Sequence, residues 1–600
     1  MKLKTLPLLL ALCLLLGSLS ACGKEEKAEG GAPLYAQQTQ AQRGTPTQAS
    51  AAADAAAVRD SLAQAGKVDD SGRESVVPAR DPESGRDLRL PNWEESAVCA
   101  DNGCIYTVDS YGLLVVSAAG AGSKILSYTK IESPEGALAR RLYVQGDRAA
   151  VVSTSALFDT DETGNARDAA QTQAVMLDIS DPAAPKQLAS VAVEGTLQKA
   201  GFLNGTLCLL TGKELLGLPD PAEAEQVLPW IEENGSKRDL RATDVYLRAE
   251  PARTALSLVT ALRLQDGRVA DAVALTDATD AAIFGTDCLY LARSRWQVEQ
   301  SAPDRETEPP YSIVANTHVL QTEVLRLEFD SNFRFAGGCF QQGGLSENAS
   351  MSVFGDCLRL ALQTQSCSFS SYTDEKHGWT NYLLNSDERS SRIVLLDAAL
   401  QGESGTELGK IGGEQGVSAC RFVDNRAFLV TEKPNDPIFC AELSDPAAPV
   451  MGENLVLPGS CARFYGMNAG ALLALTDDPE ENGTVILSVY AGENRTQLSR
   501  TDRVSVRQSE RALRVPELVF ADPESGYVGL PLQGDRTGYR LYRLEDGELK
   551  EKGTTALEYV PDEARSFLID GLLYVCGPGE LYVIEPESAK LLTTVSNAVG

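Results

Sequence analysis

Val175, Leu177 and Ile179 alternate with Met176, Asp178 and Ser180, and after Ile179-Ser180-Asp181-Pro182-Ala183-Ala184-Pro185 the alternation resumes with Val191 and Val193 against Ala192 and Glu194. A period of two predicts a strand on either side of a corner. The corner is dictated by its prolines, which cannot donate to a ladder and push the preceding residue out of the α region. The same unit returns as Leu443-Ser444-Asp445-Pro446-Ala447-Ala448-Pro449. Strand, corner and strand therefore recur, as expected of an array of β-repeats.

A second unit, a polar turn followed by a short apolar run, recurs more often. It appears as Asn102-Gly103 before CIYTV, Gly146-Asp147 before RAAVVS, Asn204-Gly205 before TLCLLT, Gly285-Thr286-Asp287 before CLYLA and Gly355-Asp356 before CLRLAL. It continues as Asp424-Asn425 before RAFLVT, Asn468-Ala469-Gly470 before ALLALT, Ser525-Gly526 before YVGL and Asp570-Gly571 before LLYVC. Turns of this kind accept positive φ at little cost and predict hairpins. Hairpins followed by one or two further strands, with no convincing helix, predict four-stranded blades arranged radially. Radial closure also removes the exposed edges that an open sheet of this length would carry. The fold expected is all-β: a single β-propeller of about eight blades, with seven and nine also open, according to whether the first and last hairpins share one. Two β-sandwiches are the alternative, with a linker at 301–310 (SAPDRETEPP).

The N-terminus reads differently. Met1-Lys2-Leu3-Lys4, the apolar run Leu6 to Leu16, and Leu19-Ser20-Ala21-Cys22 have the three parts of a secretory signal. Leu-Ser-Ala-Cys resembles the bacterial lipobox, which implies a signal peptide over 1–21 and a diacylglycerol on the sulfur of Cys22. From 22 to 92 the chain has too little aromatic and β-branched surface to offset the entropy of ordering, so it is expected to be a disordered tether. A helix at Ala51 to Ala65 would be marginal in isolation. The propeller is expected over 93–600.

Arg421-Phe422-Val423-Asp424-Asn425-Arg426-Ala427-Phe428-Leu429-Val430-Thr431, with Asp436-Pro437-Ile438, Leu443 to Pro446, Pro449 and Pro458-Gly459, resembles the secreted bacterial and archaeal beta-propeller domain proteins distantly related to WD40. Leu142 to Asp147 and Leu572 to Val575 fit the same pattern, and both Ser-Asp-Pro segments resemble the shorter LVIVD-type repeat. After Pro458-Gly459 this chain has Ser460-Cys461-Ala462-Arg463-Phe464 where the family usually has an aromatic-Ser-Asp-Tyr-Leu-like run. The resemblance implies an extracytoplasmic propeller and brings no reaction, cofactor or catalytic residue with it.

Candidate chemistry is sparse. A formal net charge of −30 disfavours nucleic acid, whose binding draws on Lys and Arg to displace counterions. Of 13 cysteines, Cys13 leaves with the signal and Cys22 is acylated, so an odd number remains, with no CxxC pair. Cys99 and Cys104 flank Asn102-Gly103: a two-residue turn sets Cys99 opposite Tyr106, too far from Cys104 to bridge, whereas a four-residue loop would bring the two sulfurs together. With only His318 (in a strand) and His377 (in a polar loop), a three-histidine zinc site is impossible, and no G-x-S-x-G elbow supports a triad. Asp159, Asp161, Thr163 and Asn165 have the spacing of a calcium loop, but its twelfth position is Ala170. No catalytic, cofactor-binding or metal residue is therefore assigned; Cys22 is the one site residue. The reading is a monomeric extracytoplasmic lipoprotein, anchored to the membrane through its lipid, that binds a protein or glycan and not nucleic acid. The alternative is a polymer-degrading hydrolase or lyase with an acidic site at the propeller channel.

Overall fold

In the computed structural model the described residues are 37–42, 47, 49–65, 87–88 and, apart from short connecting segments of which 301–310 is the longest, 96–596. Over the last of these stretches the chain folds into consecutive four-stranded antiparallel blades: 98–130, 137–194, 196–276, 281–342, 351–409, 417–451, 461–506, 520–556 and 565–596. The count among the described residues is nine, one above the number expected. Each polar turn lies between the first and second strands of its own blade, and the first and last turns do not share one. Asn102 and Gly103 take φ of 48° and 70°, Asp570 and Gly571 of 50° and 77°, the left-handed pair such turns require. Asp101 pairs with Cys104 and Cys99 with Tyr106, so the turn has two residues, and both cysteines are free thiols.

The burial pattern explains the apolar runs. Second strands such as Cys104–Val108 and Tyr527–Leu532 are buried at every position, because each of their faces meets a different neighbouring blade. In the last blade Leu573 and Val575 pack on the eighth blade with Tyr539 and Leu541, while Tyr574 and Cys576 pack on the first with Ile105 and Val116. Fourth strands such as Ser499–Val506 are largely exposed. First strands of adjacent blades come within 8 Å of one another between α-carbons, as Val98–Asp101 does with Ala137–Gln145, which sets them at the hub. Each of the nine blade-to-blade junctions carries its own apolar cluster, including the junction of last and first, so the ring is closed. Among the described residues no strand is exchanged across that seam. Val98, Ile105, Leu114 and Val116 meet Tyr574, Cys576, Leu581 and Val583 there, and the Tyr574 hydroxyl accepts the Gly120 N–H at 2.9 Å.

The two Ser-Asp-Pro segments occupy the same place in the second and sixth blades, between third and fourth strands. Asp181 and Asp445 each close the corner in the same way, accepting a backbone N–H two residues on at 3.1 and 3.0 Å. The linker that two sandwiches would need at 301–310 is instead the connection of a hairpin, since Gln300 pairs with Asn316 on either side of it.

The tether expectation for 22–92 needs correction where the structure describes it. Strand β1 (Gln37–Gln42) pairs antiparallel with the fourth strand of the fifth blade, Thr47 donates its N–H to Gly338 O of the fourth blade, and β2 (Ala49–Ala51) adds to the outer edge of the third. Helix α1 (Ala55–Ala65) follows, capped by the Asp54 carboxylate on the Ala57 N–H at 2.8 Å. It buries the stripe Val58, Ser61, Leu62 and Ala65, with Val58 and Leu62 seated in the cluster between the second and third blades. The helix is marginal alone, as its length implies; packing on the ring supplies the stability that propensity does not.

Candidate functional site

Two blades carry strands far longer than those of the others. In the fourth, β3 (Cys288–Gln300) and β4 (Tyr311–Phe329) form one long hairpin; in the fifth, β5 (Cys357–Asp374) and β6 (Trp379–Asp397) form another, and β7 (Ser404–Gly409) completes that blade. The blade-forming ends are apolar, as in CLRLAL, while the projecting ends are rich in Ser, Thr, Gln and Asn, the mark of strands that no neighbouring blade covers. The projecting ends pair with each other, Tyr311 with Asp374 through Val319 with Ser366, and join the two blades into one sheet. The switch occurs at Gly343 (φ 109°), whose N–H goes to Leu320 O at 2.7 Å; a Cβ on the next residue, Gly344, would meet Leu320 Cδ2 at 2.5 Å.

At the root of these hairpins lies a cavity of about 520 Å3, bounded by Gln342, Gln365, Asp387, Glu388, Arg389 and Lys410. Among the described residues no aromatic ring lines it. Asp387 is its best-held group: Arg389 donates Nε and Nη2 at 3.0 and 2.8 Å, Gln365 donates Nε2 at 2.9 Å, and Cys367 donates its thiol at 3.2 Å. Burial would raise the Asp387 carboxyl, yet the bonds from Arg389, Gln365 and Cys367 hold it below the usual aspartate range. The Cys367 thiol is pushed up to about 12 by its own burial and by Asp387.

His318, Cys367 and Asp387 are opposite one another on β4, β5 and β6, a row of three types familiar from nucleophilic sites. The protonation is wrong for that chemistry. A thiol that donates to a carboxylate and is pushed up in this way stays protonated and is not the thiolate a nucleophile needs. His318 is buried, with its ring 4.8 Å from Phe369. This row is a set of structural contacts. It was invisible in the sequence because the register of three strands, not spacing along the chain, brings the residues together.

The other candidates fall elsewhere. His377 is exposed at the tip of the β5–β6 hairpin. Asp159 lies in a short hairpin, Phe158–Thr160 with Ala166–Asp168, while Asp161, Thr163 and Asn165 fall outside the described residues, as does Cys22. Among the described residues no three His, Cys, Asp or Glu side chains are grouped to hold a metal ion, and no helix is long and apolar enough to cross a membrane.

A closed ring of four-stranded blades defines a β-propeller. The chain belongs to the Beta propeller domain family, whose sequence model matches residues 94–584. It is 25% identical over 219 residues to an uncharacterized protein of Archaeoglobus fulgidus (36% of this chain, 33% of that protein). Another uncharacterized protein, from Methanocaldococcus jannaschii, is 22% identical over 214 residues (35% and 32%). The chain thus matches about a third of the length of these relatives. Among solved structures, a Bacteroides fragilis protein provisionally described as a 6-phosphogluconolactonase covers 56% of this chain and 89% of its own at 13% identity, with a TM-score of 0.27, too low to support an inference.

Proposed function

We propose that this chain is a lipid-anchored extracytoplasmic propeller that binds a partner protein and performs no reaction of its own. The observation that carries the reading is the pair of projecting hairpins. Blade packing does not require them; they frame a polar cavity at their root and, farther out along the strand, expose Trp379 and Leu383. Among the described residues that line the cavity there is no aromatic ring for a sugar to stack on, which favours a polypeptide at that point. Asp387, held ionised by Arg389, cannot be the general acid that the hydrolase alternative needs. The net charge of −30 speaks against nucleic acid. Attachment rests on Leu19-Ser20-Ala21-Cys22.

Excision of the projection tests the binding role. Thr364 and Ser390 lie directly opposite, so 365–389 can be replaced by an Asn-Gly turn that leaves the blade intact. The expected result is a folded protein that no longer recovers its cell-surface partner in a crosslinking experiment. Undiminished recovery would overturn the reading. For the anchor, Cys22→Ala is expected to release the protein from membranes or leave it unprocessed; retention with normal processing would refute lipidation.

A further inference from the structure

We infer that the uncovered edge of β6, from Trp379 to Ser390, is a strand-addition site for an extended segment of the partner polypeptide. This rests on the binding reading above and names how the partner is held. β6 pairs with β5 along its length, but on its other side β7 reaches only Ile393 to Leu395, and the Ile411 N–H bonds to Ser391 O at 3.0 Å. Among the described residues no strand pairs with the other edge from Trp379 to Ser390. At about 3.3 Å per residue that is roughly 40 Å of main chain, far longer than an ordinary blade strand.

Its composition is unusual for a bare edge. Folded proteins blunt such edges with lysine, proline or inward charges. Here the outer part of the edge, 379–386, reads WTNYLLNS, with none of these, and the charges are confined to Asp387, Glu388 and Arg389 at the inner end. Trp379 and Leu383 share one face of β6 and are 41% and 55% exposed. Toward the blade the character changes to Asp387, Glu388 and Arg389 beside Lys410, where the cavity opens. The recognised segment therefore carries apolar side chains four positions apart, and polar or charged ones at the end that enters the cavity. Elsewhere the ring already accepts strands in this way: β1 lies on the outer edge of β7 in this same sheet, and β2 on the third blade. Main-chain pairing supplies affinity in such additions and the alternating side chains supply specificity.

The test uses the full mature chain. A library of displayed random dodecapeptides is selected against it, and the enriched peptides are re-made with single N-methylated amides. Strand addition predicts enriched sequences with apolar residues four apart, binding weakened at least tenfold by methylation at every second amide, and a similar loss with Leu383→Lys, a change at an exposed position that the fold tolerates. Peptides that bind wherever they are methylated, or that bind Leu383→Lys equally well, would refute strand addition and leave the binding role standing. If no peptide is enriched, light scattering decides the reason, and each answer overturns the assignment: a dimer dissolved by Leu383→Lys means a second copy holds the edge, enrichment restored on deletion of 23–36 means the chain's own N-terminal segment does, and neither means the edge is not a binding surface. Loss of partner recovery on excision of 365–389 without any such peptide would keep the binding role and discard this mode.

Discussion

Glu323 is fully buried between the third and fourth blades and accepts from Arg248 Nη1 at 3.1 Å, Arg293 Nε at 2.6 Å and the Thr47 hydroxyl at 2.7 Å. Arg293 also contacts Asp277, itself buried. Burial alone would raise the Glu323 carboxyl, but Arg248 and Arg293 outweigh it and hold it below the ordinary glutamate range. Glu323→Gln would leave two buried guanidiniums short of counter-charge, and a loss of about 3–5 kcal/mol in urea unfolding is expected. A depressed carboxyl contributes stability above its unfolded value and loses it as pH falls through the folded one. Glu587 is depressed to about 2 by the Tyr527 hydroxyl and by Lys552, with Arg543 adding to it. The unfolding midpoint should therefore hold from neutral pH to about 5, then fall as pH drops from about 4.5 toward 2. A midpoint flat to pH 3 would contradict both assignments. At this scale the turns were legible, because Asn102-Gly103 and Asp181-Pro182 act through their own backbones. Thr47 and Glu323, 276 residues apart, meet only through the third dimension.

Among the elements, α1 shows the limit of composition as a guide. Its alanines read as linker, and the stripe of Val58 and Leu62 is too short to announce a partner, yet the cleft between the second and third blades accepts it. Leu62→Asp should detach the helix. Arg59, whose Nε donates to Pro219 O at 2.7 Å in the native protein, would then become a rapid tryptic site, while the ring remains resistant. Equal cleavage of both proteins at Arg59 would mean the helix is not docked in solution. Buried cysteines make a second prediction. Burial pushes the Cys440 thiol up to about 12, as it does Cys367 with help from Asp387. A thiol reagent at pH 8 should thus modify half-buried Cys99 well before Cys208, Cys367, Cys440 or Cys576, and all of them after denaturation. Here the sequence was a fair guide: single cysteines within apolar runs read as small buried hydrophobes, and the structure places them so.

For the whole molecule, nine polar turns counted the blades, and nine, one of the counts left open, follows because the first and last turns do not merge. Sequence pattern carries no information on how a ring is sewn shut, and a strand shared across the seam would have lowered the count. Because closure depends on packed faces and not on a shared strand among the described residues, deletion of Arg565 to Gly600 uncovers two faces, that of the eighth blade around Tyr539 and Leu541 and that of the first around Ile105 and Val116. Each returns apolar surface to water at about 25 cal/mol per Å2. A large fall in the urea midpoint is expected; a midpoint nearly unchanged would mean that last and first blades do not support each other. Ile105→Ala, buried at the seam, should cost about 2–5 kcal/mol in the intact chain.

The seam has a consequence for ancestry. Where first and last blades are each drawn from one unbroken stretch of chain, a gene can gain a blade by duplicating a single segment, and nothing at the termini needs to be rewired. A ring tied by an exchanged strand lacks that freedom, since its two ends must change together. An odd count of nine is then an ordinary product of copying, and a Ser-Asp-Pro-Ala-Ala-Pro corner at the same place in the second and sixth blades is what such copying leaves behind.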